Sequence, residues 1–268
     1  MPELFPNLTT FVLCGLIVAG AQLIYAMVGF GAGMFAIALL ALVLPDLAPA
    51  VATLLILTFV TEVWVLAGHW RKAKLWLLVG LLPTMIIGMW LGTALLTGGD
   101  EAWLKRMLGL VVLAAGLWFL VGDRQRNDRP DTADAPDFDN SKQPWHRGTK
   151  WLSIPAGLIS GLLGGLFGTG GPPIIIFLRA YRLDKGAFRS TILWFFLLMS
   201  FVRAESYLHS GLLTWSEIVA AGWLLPPSLA GMLLGMAAHR RLSEKHFGIV
   251  VAVLLVFLGV LLMVGLGK

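Results

Sequence analysis

Residues 164–173 read Gly-Gly-Leu-Phe-Gly-Thr-Gly-Gly-Pro-Pro, and they interrupt an apolar stretch that is too long for one helix. Residues 29–33, Gly-Phe-Gly-Ala-Gly, interrupt an apolar stretch of the first half in the same way. Pro172 and Pro173 suit the first turn of a new helix, where a missing N–H leaves no hydrogen bond unmade. Both stretches therefore predict a break in the backbone that is followed by a short helix.

The composition predicts that these breaks lie inside a membrane. Only 13% of the 268 residues are charged and 58% are hydrophobic, whereas a soluble domain is about 25% charged. A full membrane span needs about 20 apolar residues. Apolar runs occur at 8–27, 34–44, 48–68, 75–96 and 104–122, and again at 151–167, 173–181, 190–208, 216–238 and 247–266. The second run of each group covers about half a span and predicts a half-helix or a re-entrant segment.

The two groups of runs repeat each other. Three features occur in the same order in each half: a Phe-Gly-x-Gly motif, a helix with regularly spaced Pro, Gly and Gly, and a glycine that opens the last helix. They are Phe30–Gly33, Pro83–Gly92 and Gly109 in the first half, and Phe167–Gly170, Pro226–Gly235 and Gly248 in the second. The predicted fold is an all-α integral membrane protein of eight to ten segments, with about four full spans and one Gly-broken short segment in each repeat.

A charged linker separates the repeats. Residues 123–150 contain six Asp, six Lys or Arg and three Pro, a composition that cannot bury enough apolar surface to fold alone. The predicted organisation is a first transmembrane repeat over 1–122, a solvated cytoplasmic linker over 123–150 and a second transmembrane repeat over 151–268.

The basic residues predict the orientation of the repeats. If all five segments of each half cross the membrane, sixteen of the 20 lysines and arginines fall on one side, which we call the basic side. If each Gly-broken pair were a single span, the basic residues would divide about evenly. The positive-inside rule favours the first arrangement. An odd number of crossings in each repeat makes the two repeats inverted, which is a common plan of secondary transporters.

The breaks are the strongest functional signal. Non-helical backbone at membrane depth must be buried in protein or line a watery cavity, because lipid offers no hydrogen-bond partners. The N-terminus of a half-helix presents backbone N–H groups and a positive dipole end, which can hold an oxyanion. The predicted substrate-binding residues are Gly29, Gly31, Gly33, Gly168, Thr169, Gly170, Gly171, Arg203, Gln22, Tyr25, Thr53 and Ser190.

For the glycines the alternative is close helix packing at small-xxx-small spacing. We favour packing for Gly88 with Gly92 and for Gly231 with Gly235, and binding for the two breaks, because packing alone requires no break.

For the polar side chains the alternatives are also structural. Arg203 is the one basic residue placed inside a span, and it either neutralises a permeating anion, pairs with Glu205 or Glu62, or reaches toward an interface. Glu62 is expected to be structural or interfacial. Thr53 and Ser190 are predicted to open the third helix of each half, where they cap it or line the site.

Gln22 and Tyr25 precede the first break, where they face a cavity or bond to a neighbouring helix. Asp46 and Asp184 occupy comparable loops of the two repeats and are predicted to be turn or cap residues.

Other chemistries find no support in the sequence. The five histidines do not cluster like metal ligands, and no nucleophile–base arrangement or phosphate loop is present. We therefore expect no enzyme activity, no cofactor and no metal. The basic residues lie in short loops between helices, as membrane topology requires, so nucleic acid is not an expected partner.

An ordered, duplicated set of glycine motifs carries a family resemblance. The set includes Val28–Gly33, Gly161–Gly171 and the sequence Gly-His-Trp-Arg at 68–71. In these residues the chain resembles the TauE/SafE family of bacterial membrane proteins, the sulfite exporter family. The resemblance covers almost the whole chain except the linker. The first break departs from the fuller glycine run of the second, since Ala32 and Met34 lie within or beside it.

The resemblance implies export of small oxyanions, either sulfite or organosulfonates such as sulfoacetate, across the bacterial inner membrane. The hypothesis is therefore an inner-membrane secondary transporter that works by alternating access. An anion channel and a non-transporting membrane subunit are the alternatives. The expected partners are a small anionic substrate and membrane lipid, and a homodimer is left open.

Overall fold

The computed structural model describes residues 4–28, 32–68, 70–126, 147–181, 183–239 and 244–265. This described part contains α-helices, one 3₁₀ turn at Trp70–Lys72 and no strand. The helices of the first half are α1 (Leu8–Val28), α2 (Ala32–Val43), α3 (Leu47–Ala67), α4 (Leu75–Val79), α5 (Leu82–Gly98) and α6 (Glu101–Arg126). Those of the second half are α7 (Arg147–Phe167), α8 (Gly171–Arg179), α9 (Lys185–His209), α10 (Trp215–His239) and α11 (Glu244–Val264).

The helix lengths confirm the predicted membrane fold. Five helices are long and apolar enough to cross a membrane, namely α1, α3, α6, α9 and α10, and shorter apolar helices lie between them. Both short second segments are present: α2 has 12 residues and α8 has 9. Residues 127–146 of the predicted linker lie outside the described residues, and α6 and α7 continue into its two ends.

The predicted openings of the third helices are wrong. Helix α3 begins at Leu47 and α9 at Lys185, so Thr53 and Ser190 lie inside these helices and cap neither of them. Asp184 is the N-cap of α9, and its carboxylate accepts a hydrogen bond from Ala187 N at 3.0 Å. Asp46 occupies the N-cap position of α3 without a side-chain bond. The start of α9 is therefore set by a side-chain cap rather than by its first apolar residue.

The fourth segments of the two halves differ. The run predicted over 75–96 is divided near Gly80 into α4 and α5, with Pro83 in the first turn of α5. The Pro83 ring clashes with a helical carbonyl four residues earlier, so the helix ends and restarts. In the second half, α10 continues through Pro226 and Pro227.

Glycines bring two pairs of helices into close parallel contact. On α5 and α7, a methyl group at Gly92 would lie 3.0 Å from Leu166 N, and one at Gly88 would lie 2.8 Å from Leu162 N. Along α1 and α10, Gly231 faces Ala19 and Gly235 faces Leu23. Residue numbers rise together along each pair, so the helices are parallel. The predicted packing role of both glycine pairs is confirmed, because no side chain fits at these crossings.

Two other pairs are antiparallel. Gly109 on α6 contacts Leu262 on α11, whereas Gly116 contacts Ala252. On α3 and α9, the rings of Phe59 and Phe201 stack edge to face at 5.2 Å, and neighbouring contacts run in opposite directions. A two-fold axis between the repeats exchanges α1 with α7, α3 with α9, α5 with α10 and α6 with α11. Because the exchanged helices α3 and α9, and α6 and α11, are antiparallel, this axis lies in the membrane plane and the repeats are inverted.

Candidate functional site

The described end of the first break lies against the second break. A methyl group at Gly33, beside the first break, would lie 3.1 Å from the carbonyl oxygen of Gly168 in the second. Gly168 has a φ of +69°, in the left-handed region that favours glycine. The other predicted residues of the first break, Gly29 and Gly31, lie outside the described residues.

A cavity of about 60 Å³ lies between the breaks. A single water needs roughly 10–15 Å³ measured in this way, so the cavity has room for several waters or a small ion. Both repeats line it, through Gln22, Tyr25, Gly33, Met34, Thr58, Thr61, Glu62 and Phe119 from the first and Gly168, Thr169, Gly170, Gly171, Pro172 and Phe196 from the second.

Three polar side chains of the cavity wall are buried without a hydrogen-bond partner among the described residues. They are Gln22 through Oε1, Tyr25 through its hydroxyl and Thr169 through Oγ1. Their residues are at most 7% exposed. An unpaired buried polar group costs about 1–3 kcal/mol, so three around one cavity indicate a place for a polar ligand.

The backbone of the second break supplies fewer donors than predicted. The N–H of Gly168 donates to Gly164 O at 2.9 Å, and that of Thr169 donates to Leu163 O at 3.2 Å. These bonds close the end of α7 and occupy two of the predicted donors. The N–H groups of Gly170 and Gly171, at the start of α8, have no hydrogen-bond partner among the described residues and border the cavity.

Arg203 lies directly behind the cavity wall. The residue is 4% exposed, and its Nη2 donates to Thr58 Oγ1 at 3.3 Å, while Nε has no partner in the part of the chain that the structure describes. Its guanidinium also fills the space beside Gly168, where a side chain would otherwise point. Within the described part of the chain Arg203 forms no ion pair with Glu62 or Glu205, and Glu205 instead lies 3.3 Å from His209.

Glu62 lies in the wall of the central cavity rather than at an interface. The sequence predicts a structural or interfacial residue, and the structure shows that it is 9% exposed and lines the cavity. Its Oε2 accepts a hydrogen bond of 2.7 Å from Ser200 on α9. Thr58 and Thr61 occupy the same face of α3, so a polar stripe inside an otherwise apolar span was the signal that could have identified it.

Thr53 and Ser190 do not line the cavity. Both are 2% exposed within their helices. The hydroxyl of Thr53 has no hydrogen-bond partner within the described ranges. Of the predicted site residues that the structure describes, seven border the cavity, Arg203 lies behind its wall, and Thr53 and Ser190 lie elsewhere.

A second cavity of about 210 Å³ lies toward the end of α3 and the start of α9. Its wall includes Trp64, Arg189, Met232 and Met236, and Tyr25 lines both cavities. This cavity is on the basic side of the molecule, and Tyr25 stands between it and the central cavity.

Comparison with known proteins shows the family to which the chain belongs. The family model described as sulfite exporter TauE/SafE matches residues 13–262. The chain belongs to the TauE/SafE family. A "Probable sulfite/organosulfonate exporter TauE" of Cupriavidus necator is 27% identical over 213 residues, which cover 77% of this chain and 75% of that protein. No solved structure matches the chain.

Membership in the TauE/SafE family confirms the predicted resemblance. It identifies the chain as a multi-pass membrane protein of an exporter family, which is not a class of enzymes. The cavity between the inverted repeats is where transporters of this plan bind their substrates.

Proposed function

We propose that this chain is an inner-membrane secondary transporter that exports small sulfur oxyanions, sulfite or organosulfonates such as sulfoacetate, by alternating access. The observation that carries the proposal is the set of unpartnered polar groups around the central cavity. The family and the name of the relative from Cupriavidus necator point to the same substrates.

The chemistry of the cavity suits an oxyanion. The oxygens of sulfite or a sulfonate accept hydrogen bonds, and the Tyr25 and Thr169 hydroxyls and the Gly170 and Gly171 N–H groups are available to donate them. Arg203 supplies a positive charge one layer behind the wall. Hydrogen bonds to charged groups are roughly twice as strong as neutral ones.

The two cavities suggest a path for the transported anion. The second cavity is a route from the basic side, which the positive-inside rule makes the cytoplasm, and Arg189 in its wall attracts anions. Tyr25 then separates this route from the binding cavity. The membrane potential favours outward movement of an anion by about 2.3 kcal/mol per charge per 100 mV, so export requires no obligatory ion gradient.

The test is uptake of radiolabelled sulfite into proteoliposomes that contain only this protein, with sulfoacetate and lactate as competitors. Saturable uptake that sulfoacetate blocks and lactate does not is the expected result. Flux that never saturates and shows no counter-transport would identify a channel instead. Absence of uptake under every imposed potential and ion gradient would contradict the proposal and favour a non-transporting subunit.

A further inference from the structure

We infer that Glu62 is a proton-binding site that moves one proton together with the transported anion. The inference rests on the proposed function, because it assigns a second ligand to the same cavity. The carboxyl group of Glu62 lines a cavity that is proposed to hold an anion, and an ionised carboxylate would repel that anion.

The geometry connects Glu62 with the binding cavity and leaves it incompletely held. Ser200 donates one hydrogen bond to Oε2 at 2.7 Å, and it is the hydrogen-bond donor to this carboxyl group among the described residues. A purely structural buried carboxylate is normally ion-paired or held by several donors. Arg203 is not within ion-pairing distance, since its guanidinium bonds to Thr58 and packs beside Gly168.

The charges of Glu62, Arg203 and the anion explain why binding of the proton and binding of the anion are coupled. With Glu62 ionised, its charge and that of Arg203 cancel, and the empty cavity is neutral. An arriving anion then adds an uncompensated negative charge beside a carboxylate, and like charges in a buried site strongly repel. If Glu62 takes up a proton, the anion instead faces Arg203 alone. Anion and proton therefore favour each other's binding, and both leave together.

Among the ionisable groups around Glu62, its own carboxyl group is the one that takes up and releases the proton. Arg203 on α9 and Tyr25 on α1 interact with it electrostatically. Helix α2 contains no ionisable residue. The ionisable side chains described on α6 and α10 lie in the first two turns of those helices, at the opposite end of α3 from Glu62; one of them, Glu101, accepts a hydrogen bond from Leu47 N.

Proton coupling is compatible with export. A divalent anion that leaves with one proton still carries one net negative charge outward, so the membrane potential continues to favour export.

The experiment uses sulfoacetate rather than sulfite, because sulfite itself binds a proton near neutral pH whereas sulfoacetate stays fully ionised there. Proteoliposomes hold a trapped pH-sensitive dye, and the potential is clamped with potassium and valinomycin. Inward flow of sulfoacetate is expected to acidify the lumen with the wild-type protein. Glu62→Gln is expected to lose the acidification but to keep exchange of labelled for unlabelled sulfoacetate. Glu62→Asp, the matched control, is expected to keep both.

Each contrary result has a separate meaning. Sulfoacetate flow without acidification in the wild type, or acidification that persists in Glu62→Gln, overturns the inference and leaves the proposed function intact. Loss of exchange in Glu62→Gln also overturns it, because Glu62 would then be needed for the anion itself. Absence of all transport in the wild type overturns the proposed function as well.

A second measurement does not depend on a variant. Dicyclohexylcarbodiimide modifies protonated carboxyl groups in apolar surroundings, so it is expected to label Glu62 of the wild-type protein faster when sulfoacetate is present. Mass spectrometry locates the label. A labelling rate at Glu62 that sulfoacetate leaves unchanged would contradict the inference.

Discussion

The two repeats share a scaffold but differ in the chemistry that they bring to the cavity. The alignment of Phe30-Gly31 with Phe167-Gly168 also pairs Gln22 with Ile159, Tyr25 with Leu162, Glu62 with Met199 and Leu66 with Arg203. Each polar residue at the site therefore has an apolar counterpart in the other repeat. The first repeat supplies Gln22, Tyr25 and the carboxyl group of Glu62, and the second supplies the hydroxyl of Thr169, the N–H groups of Gly170 and Gly171, and the cation.

The apolar counterparts lie at packing contacts. The backbone of Leu162 lies against Gly88 and Gly92 at the contact of α5 with α7, and the side chain of Met199 fills the space beside Gly164 and Gly170. One repeat thus places an apolar residue at a helix contact where the other places a polar side chain at the cavity. Inverted symmetry positions the cavity, and the departures from symmetry give it its polar groups.

The largest expected effect is at the second break. Gly168→Ala places a methyl group in the left-handed region, which costs about 1–2 kcal/mol, and drives it into the Arg203 guanidinium. We expect transport to fall by at least roughly a hundredfold, because displacement of a positioned group adds to the strain. Gly171→Ala is the control, since its methyl group would make ordinary contact with Phe196 at 3.5 Å. Equal losses in both variants, measured by sulfite uptake at matched membrane insertion, would contradict the assignment.

The cation of the second repeat comes next. Arg203→Gln removes the charge behind the cavity, and we expect the KM for sulfite to rise roughly ten- to a hundredfold, because a unit charge one layer from the anion contributes about 2 kcal/mol at an effective dielectric constant of roughly 20. Arg203→Lys keeps the charge without the planar fork and should be intermediate. An unchanged KM in Arg203→Gln would assign this residue a packing role.

The scaffold should respond equally in both repeats. Gly88→Ala and Gly231→Ala each push a methyl group into the backbone of a parallel neighbour. We expect each to destabilise the protein by about 1–3 kcal/mol, read as a lower midpoint of thermal unfolding in detergent. Gly222→Ala is the control, because nothing lies within 4 Å of its added methyl group. A lower unfolding midpoint in only one of the two variants would contradict the symmetry of the scaffold.

The smallest effect is expected from a single hydroxyl. Thr169→Val removes an unpartnered cavity hydroxyl, and we expect the KM to rise roughly two- to tenfold, the contribution of about 0.5–1.5 kcal/mol for one neutral hydrogen bond. Thr53→Val is matched to it, since the Thr53 hydroxyl is also buried without a partner but lies away from the cavity. The same change in both variants would argue against Thr169 as a ligand.

Local patterns in the sequence predict the scaffold well. Glycine and proline punctuation predicts the short helices, and small-residue spacing predicts the close crossings at Gly88 and Gly231, because both depend on a few consecutive turns of one helix. The start of α9 at Lys185 differs from the prediction because its first two turns contain basic residues and the predicted apolar run begins only at Ser190, whereas the apolar run of α3 begins within one residue of Leu47. The division near Gly80 does not follow from the proline alone, because the equivalent proline of the second repeat stays inside α10.

The site depends on contacts between distant parts of the chain, and these are harder to predict. Glu62 enters the cavity only because α3 crosses α9 in the antiparallel sense, which brings Ser200 to its carboxyl group. The position of Arg203 behind Gly168 depends on the same crossing. The sequence predicts that a charged side chain is buried, but it does not predict which helices or which cavity that side chain contacts.

The most direct test of the account is substrate protection of a single cysteine in the cavity. Cys14, the one cysteine of the chain, is buried and is replaced by Ser first. Thr169→Cys is then treated with an anionic thiosulfonate reagent in proteoliposomes, with Thr53→Cys as the control. The account predicts that Thr169→Cys reacts and that sulfoacetate slows the reaction in a saturable way, while any reaction of Thr53→Cys is unaffected. A Thr169→Cys protein that still transports, but whose labelling is indifferent to sulfoacetate, would contradict a binding site between the two breaks.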